Sequence, residues 1–280
     1  MKKESINSFV DLLHKTHRAE WEATPLTDGA ISWLNELIQF LFPNNYLPKE
    51  AMYEGILKKS QADLENILLS YLDSGKINAE GIADSFFSSL NVIYQDLRQD
   101  AAKIFEYDPA ASSIHEVIVS YPGFYAIAVY RIAHQLTLLN IPVLPRILSE
   151  YAHSKTGIDI HPNAQISVPF VIDHGTGIVI GATSIIGKNV CIYQGVTLGA
   201  LYVNKELSEV KRHPTVEDDV IIYARTTILG GDTIIGRNSI IGGSVFLTQS
   251  VEPNSSVFNT HQLRITAKKN SYDGSKVKIK

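Results

Sequence analysis

From residue 160 onward one spacing governs the chain. Ile160, Ile166, Ile172 and Ile178 lie six residues apart. Ile180, Ile186, Ile192 and Leu198 repeat the interval two residues out of step. Val216, Ile222, Ile228, Ile234, Ile240 and Phe246 resume it after a gap. A helix would place apolar residues at every third or fourth position, and this segment does not. One inward aliphatic every six residues, followed by small or turn-forming residues, marks the hexapeptide repeat of a parallel β-helix. Three short strands make one triangular coil of about 18 residues, and each coil buries its aliphatics only against its neighbours.

The repeat fails in two places. The phase slips at Asp173-His174-Gly175-Thr176-Gly177, and the gap, Gly199 to Pro214, reads as a loop thrown out of the solenoid. Solenoids accept insertions at their corners, and such insertions commonly carry function. The first defect contains Asp-His and the second Lys-Arg-His.

The first half has a different period. Ile31, Leu34, Leu37, Ile38 and Leu41 are spaced for a helix that Pro43 stops. Further helices are expected over Asp63–Leu72, Ala79–Phe105, Gly123–Leu139 and Val143–His153. Tyr107-Asp108-Pro109 should end the third of these five, because a residue before proline avoids the helical region. The expected organisation is α+β: an all-helical domain over 1–155, a β-helix with one protruding loop over 156–260, and a flexible tail over 261–280.

Of the 280 residues, 45% are apolar, and the formal charge is −4. This balance gives no reason to expect a nucleic-acid partner. The one basic cluster, Arg264, Lys268, Lys269, Lys276, Lys278 and Lys280, reads as a solvated tail. The lone cysteine, Cys191, sits within a repeat between Val190 and Ile192 and reads as packing. It suits a reducing cytoplasm. MKKESINSFVDLLHK lacks the apolar run of a signal peptide, and the weakly polar stretch Tyr121–Tyr130 is too short to cross a membrane and meets Arg131 at once. A cytoplasmic chain without a membrane partner is expected.

The segments DIHPNAQI, VIDHGTGIVIG, QGVTLG, KRHPTVEDDV and ILGG, in this order, resemble the signature of serine acetyltransferases. DPA at Asp108–Ala110 and GFYAIAVYRIAH at Gly123–His134 resemble the end of that family's helical domain. The similarity covers about Phe105 to Ser256. It implies a left-handed β-helix that assembles as a homotrimer, with sites between subunits and possible pairing of trimers into a hexamer. It implies acetyl-CoA as co-substrate, L-serine as acceptor, O-acetylserine as product on the way to cysteine, and feedback inhibition by cysteine. No metal is expected.

Acetyl transfer to an alcohol requires removal of the hydroxyl proton, stabilisation of charge on the thioester carbonyl, and orientation of both substrates. His174 is the candidate general base, since an imidazole can accept a proton near neutral pH. Asp159 lies fifteen residues earlier, on the adjacent coil, and the resemblance gives it the orienting role. Standing alone, His174 also reads as a turn histidine capped by Asp173. Arg212 suits the carboxylate of an amino acid, and the resemblance pairs it with His213; their plain alternative is a solvated loop. Asp108 and Asp173 would face the serine ammonium, although Asp108 also reads as a helix-start cap before proline. Gly199, Ala200, Tyr223 and Ala224 are candidates for acetyl-CoA, with tight turns as the alternative.

Two departures from the family stand out. The loop GALYVNKELSEVKRHP is bulkier than the glycine-rich enteric form. After Val251–Ser256, VFNTHQLRIT replaces the usual stretch, and Ile279 is penultimate rather than terminal, so a complex with O-acetylserine sulfhydrylase is doubtful. Competing readings are the same fold acting on homoserine or an amino-sugar, a zinc β-helix enzyme using His161, His174 and His213, and a trimeric scaffold without catalysis.

Overall fold

A computed structural model of the chain describes residues 3–20, 27–44, 47–72, 77–201 and 210–260. Most of the expulsion loop and the whole basic tail, including Ile279, lie outside these residues. Among the described residues, seven α-helices precede fourteen short strands: α1 (Lys3–Glu20), α2 (Thr27–Leu41), α3 (Tyr53–Tyr71), α4 (Ala79–Tyr107), α5 (Ile114–Ser120), α6 (Pro122–Leu138) and α7 (Leu144–Thr156). α2, α3 and α4 each bury one stripe, while α6 is buried on nearly all sides. In α4 the stripe is Ala83, Phe86, Leu90, Ile93, Leu97, Ala101 and Ile104, at steps of three and four residues. Asn78 caps its start by accepting from the Gly81 amide at 2.9 Å. Asp108 ends α4 in extended geometry ahead of Pro109. It therefore closes a helix and does not open one. α3 begins ten residues earlier than its sequence pattern indicated, and α1 and α5 are additional helices.

The strands wind into a left-handed, all-parallel β-helix with three faces. β1 (Asp159–Ile160), β4 (Val179–Ile180), β7 (Thr197–Gly199), β10 (Thr227–Leu229) and β13 (Phe246–Leu247) stack as the first. β2 (Gln165–Ile166), β5 (Ile185–Ile186), β8 (Thr215–Val216) and β11 (Ile234–Ile235) form the second. β3 (Phe170–Asp173), β6 (Val190–Tyr193), β9 (Ile221–Ile222), β12 (Ile240–Ile241) and β14 (Ser256–Val257) form the third. The aliphatics at 160, 166, 172, 178, 180, 186, 192, 198, 216, 222 and 228 are all buried, as the period requires. Leu198 pairs with Ile228 across the expelled segment, which leaves the ladder in register.

The last three positions of the series do not hold. Ile234 and Phe246 are exposed, Ile240 is half-buried, and Ile235 and Ile241 are the buried residues. Ile235, not Ile234, pairs with Val216. One extra residue enters at Gly230-Gly231, where Gly230 takes φ +104°. A Cβ on Gly231 would come within 2.2 Å of the Lys211 carbonyl oxygen, so the tight turn requires glycine.

The helices close the open end of the solenoid, whose first coil would otherwise expose its aliphatics. α6 does this with polar contacts. The Tyr130 hydroxyl donates to the Ala164 carbonyl at 2.6 Å and accepts from the Ile166 amide at 3.1 Å. His134 Nδ1 donates to the Pro162 carbonyl at 2.7 Å. Arg131 reaches the carbonyls of Ile166 and Ser167 while its Nε and Nη2 donate to Asp100 at 2.6 and 2.8 Å. A Cβ on Gly123 would lie 2.6 Å from the Ile172 carbonyl oxygen, so α6 starts in direct contact with β3. The buried apolar residues run without interruption from helices to strands across the 155/156 boundary. Among the described residues, no helix is long and apolar enough to cross a membrane.

Candidate active site

Two successive corners of the β-helix collect the candidate residues. The turn from β3 to β4 carries the first group. Asp173 ends β3, and His174 follows with φ +58°, a left-handed conformation that turns its ring outward; the side chain is 72% exposed. His174 Nδ1 stands 3.6 Å from Asp173 Oδ1, too far for a hydrogen bond. Asp108 comes to this corner from the end of α4. Its Oδ1 accepts from the Ala110 amide at 2.8 Å and its Oδ2 from the Tyr121 hydroxyl at 2.6 Å. The Tyr121 hydrogen bond, then the Ala110 amide, hold the Asp108 carboxyl below its ordinary value, with a smaller contribution from nearby His174. Tyr193 continues the column above Asp173 and stacks on Tyr223, ring centroids 5.0 Å apart. Burial pushes the Tyr193 phenol up to about 12.

The turns from the first face to the second carry the second group. His213 lies in a socket made by the turn between β4 and β5. The Thr183 amide donates to its Nδ1 at 3.1 Å, and the Thr183 hydroxyl is 2.9 Å from the same nitrogen. The hydrogen-bond pattern thus assigns the ring proton to Nε2. Thr183 Oγ1 also accepts from the amides of Arg212 and His213, at 2.9 and 3.0 Å. A Cβ on Gly181 would fall 2.1 Å from His213 Nε2, so glycine alone leaves room for the ring. His161 lies one coil below. Burial, then Arg212 and Lys211, lower His213 to about 4; burial, then Arg146 and Arg212, lower His161 to about 4.

Asp159 stands on the adjacent coil as its spacing indicates, paired with Val179. Its carboxylate faces α7, 4.0 Å from Arg146 Nη1, beside Glu150 and His153. Within one chain it is not brought to hydrogen-bond distance of His174. The three histidines of the zinc reading do not converge in one chain either: His174 occupies the first corner, and His161 and His213 the second. Among the described residues, the group able to offer three ligand atoms within 4.8 Å of one another is Glu150, His153 and Asp159. The acetyl-CoA candidates divide in the same way, Gly199 and Ala200 following the first face, Tyr223 and Ala224 preceding it. Cys191 is fully buried, with its thiol pushed up to about 12 by burial. Thr183 and Tyr121 escaped the sequence reading, because each acts through a partner distant in sequence.

The two low histidines make a pH prediction. Each binds a proton in the unfolded chain below about pH 6.5 and resists it when folded until about pH 4. Their contribution to stability is therefore intact above that window and is lost as pH falls through it. The unfolding midpoint is expected to drop between about pH 6.5 and 4. His213→Gln should flatten part of the slope, and equal slopes in both proteins would contradict the assignment.

No protein-family model matches the chain. A serine acetyltransferase of Synechococcus elongatus, described as plasmid, is 47% identical over 192 residues, or 67% of this chain and 60% of the relative. The chain thus spans less than two thirds of that curated relative. Among solved structures, serine acetyltransferase isoform 3 of Entamoeba histolytica, in complex with cysteine, superposes with a TM-score of 0.76 at 31% identity, covering 93% of this chain and 94% of the other. The chain belongs to the serine acetyltransferase family. A serine acetyltransferase of Neisseria gonorrhoeae, in complex with serine, superposes with a TM-score of 0.58 at 27% identity, covering 82% of this chain and 95% of that one.

Proposed function

We propose that the protein is a serine O-acetyltransferase, converting acetyl-CoA and L-serine to O-acetyl-L-serine and CoA at the first step toward cysteine. One observation carries this reading. An acidic corner with a histidine and a cationic corner with a second histidine flank the same face of one β-helix. Serine is a zwitterion and needs both charges matched. Asp108 and Asp173 suit its ammonium, and Arg212 suits its carboxylate. Among the described residues, the two corners of one chain do not enclose a common pocket, so the site is completed by a second copy whose cationic corner meets the first copy's acidic one. A homotrimer supplies three such junctions. Solved relatives in complex with serine and with cysteine support an amino-acid ligand.

In the reaction the serine Oγ–H gives its proton to His174 as Oγ bonds to the thioester carbonyl carbon. The C–S bond then breaks and the CoA sulfur takes up the proton. Asp159, after assembly, orients the imidazole. His213 presents Nε2–H as a donor toward the acceptor. Acetyl-CoA lies along the groove between copies, near Gly199, Ala200, Tyr223 and Ala224. The test is thiol release from acetyl-CoA with L-serine and with L-homoserine, repeated with added cysteine. Serine should be the better acceptor and cysteine should suppress its turnover; preference for homoserine overturns the assignment.

A further inference from the structure

The acidic corner contains a contact that none of the expected roles uses. Tyr121 Oη donates to Asp108 Oδ2 at 2.6 Å, bridging the end of α4 and the start of α6 across thirteen residues. The other oxygen, Oδ1, is held by the Ala110 amide. A carboxylate offers about four acceptor positions, so two remain for a ligand. Tyr121 is itself well anchored. It precedes Pro122, which fixes the first residue of α6, and Gly123 packs on the Ile172 carbonyl, two residues before His174. The hydroxyl therefore ties the Asp108 carboxylate to the strand that delivers Asp173 and His174.

We propose that Tyr121 is a positioning residue for the acceptor's ammonium group, fixing the Asp108 carboxylate so that it and Asp173 face the same point beside His174. The inference rests on the serine acetyltransferase reading given above. The bond to Asp108 pushes the phenol up to about 12, so it remains a donor throughout the neutral range. Glu116 is near enough to both groups to be felt by them, and with Asp173 it makes the corner suited to a cation. Phenylalanine at 121 keeps the ring and the backbone and removes the donor alone.

Steady-state kinetics on Tyr121→Phe, Asp108→Asn and the double variant test this. Tyr121→Phe should raise KM for L-serine about tenfold, as expected for loss of a bond to a charged group. KM for acetyl-CoA and the unfolding midpoint should stay at wild-type values. Its preference for L-serine over glycerate, an acceptor without the ammonium, should fall by a similar factor. The double variant should be no worse for serine than Asp108→Asn, because both changes remove one function. A wild-type serine KM in Tyr121→Phe, with Asp108→Asn impaired, overturns the role of Tyr121 alone. Multiplying effects in the double variant, or equal rises in both KM values, also overturn it. Normal serine kinetics in Asp108→Asn would remove Asp108 from the acceptor site, and the positioning role with it.

Discussion

Replacing His174 by alanine is expected to lower turnover with L-serine by about 10²–10⁴-fold, the usual contribution of a positioned general base. Folding should be unaffected. The side chain is 72% exposed, so its removal opens no buried cavity. The left-handed backbone at this position is the one local cost, and asparagine tolerates it better than alanine. His174→Asn therefore separates the chemistry from the turn: it should be as inactive as His174→Ala, with the wild-type unfolding midpoint. Thiol release gives the rate, and light scattering gives the mass of the assembly, which should not change. Acetylation at the wild-type rate in either variant removes His174 as the base. It would also revive the reading of this histidine as a turn residue that merely neighbours Asp173.

The same corner shows what could be read from sequence. Asp173 and His174 were recognisable because a slip in the six-residue period isolates them, and Asp108 because its DPA segment resembles the family's; the structure gathers all three. Tyr121 was not, since its hydroxyl finds Asp108 only after α5 folds back between them. The partner of Asp159 was equally hidden. Coil spacing fixes the height of a residue on the solenoid, but α7 decides what its side chain faces, and there it meets Arg146. The six-residue rule holds through Ile228 and fails past Gly230, where one extra residue shifts the phase. Ile234-Ile235 and Ile240-Ile241 satisfy the period in either phase. Only the ladder, with Ile235 opposite Val216, selects the second residue of each pair. Phe246, left outside by that shift, is 66% exposed. The helices with long apolar stripes were legible, whereas α5, seven residues long, has too few turns to show a period.

Breaking the Asp100–Arg131 pair should cost about 3–5 kcal/mol of stability, the usual result of leaving one buried charge without its partner. Asp100 is fully buried and Arg131 nearly so. Burial pushes the Asp100 carboxyl up, and the guanidinium opposes this by attraction and by two hydrogen bonds. The Phe170 amide adds a third, at 2.9 Å to Oδ1. One carboxylate thus joins α4, α6 and β3. Asp108 lies eight residues along α4 from Asp100, about 12 Å at the helical rise, and Asp173 lies three residues beyond Phe170. The pair acts as a strut setting the distance between the two acids proposed to hold the ammonium. Arg131→Met keeps the volume and removes the charge, so its unfolding midpoint should fall steeply and KM for serine should rise. The double change Asp100→Leu with Arg131→Met should recover part of the stability, because no charge is then buried alone. Full recovery is not expected: the Phe170 amide and the Ile166 and Ser167 carbonyls still lose partners, at about 1–3 kcal/mol for each group left unsatisfied. A single variant as stable as the wild type would mean that the helices hold the β-helix by apolar packing alone, and the link between this pair and the acidic corner would fall with it.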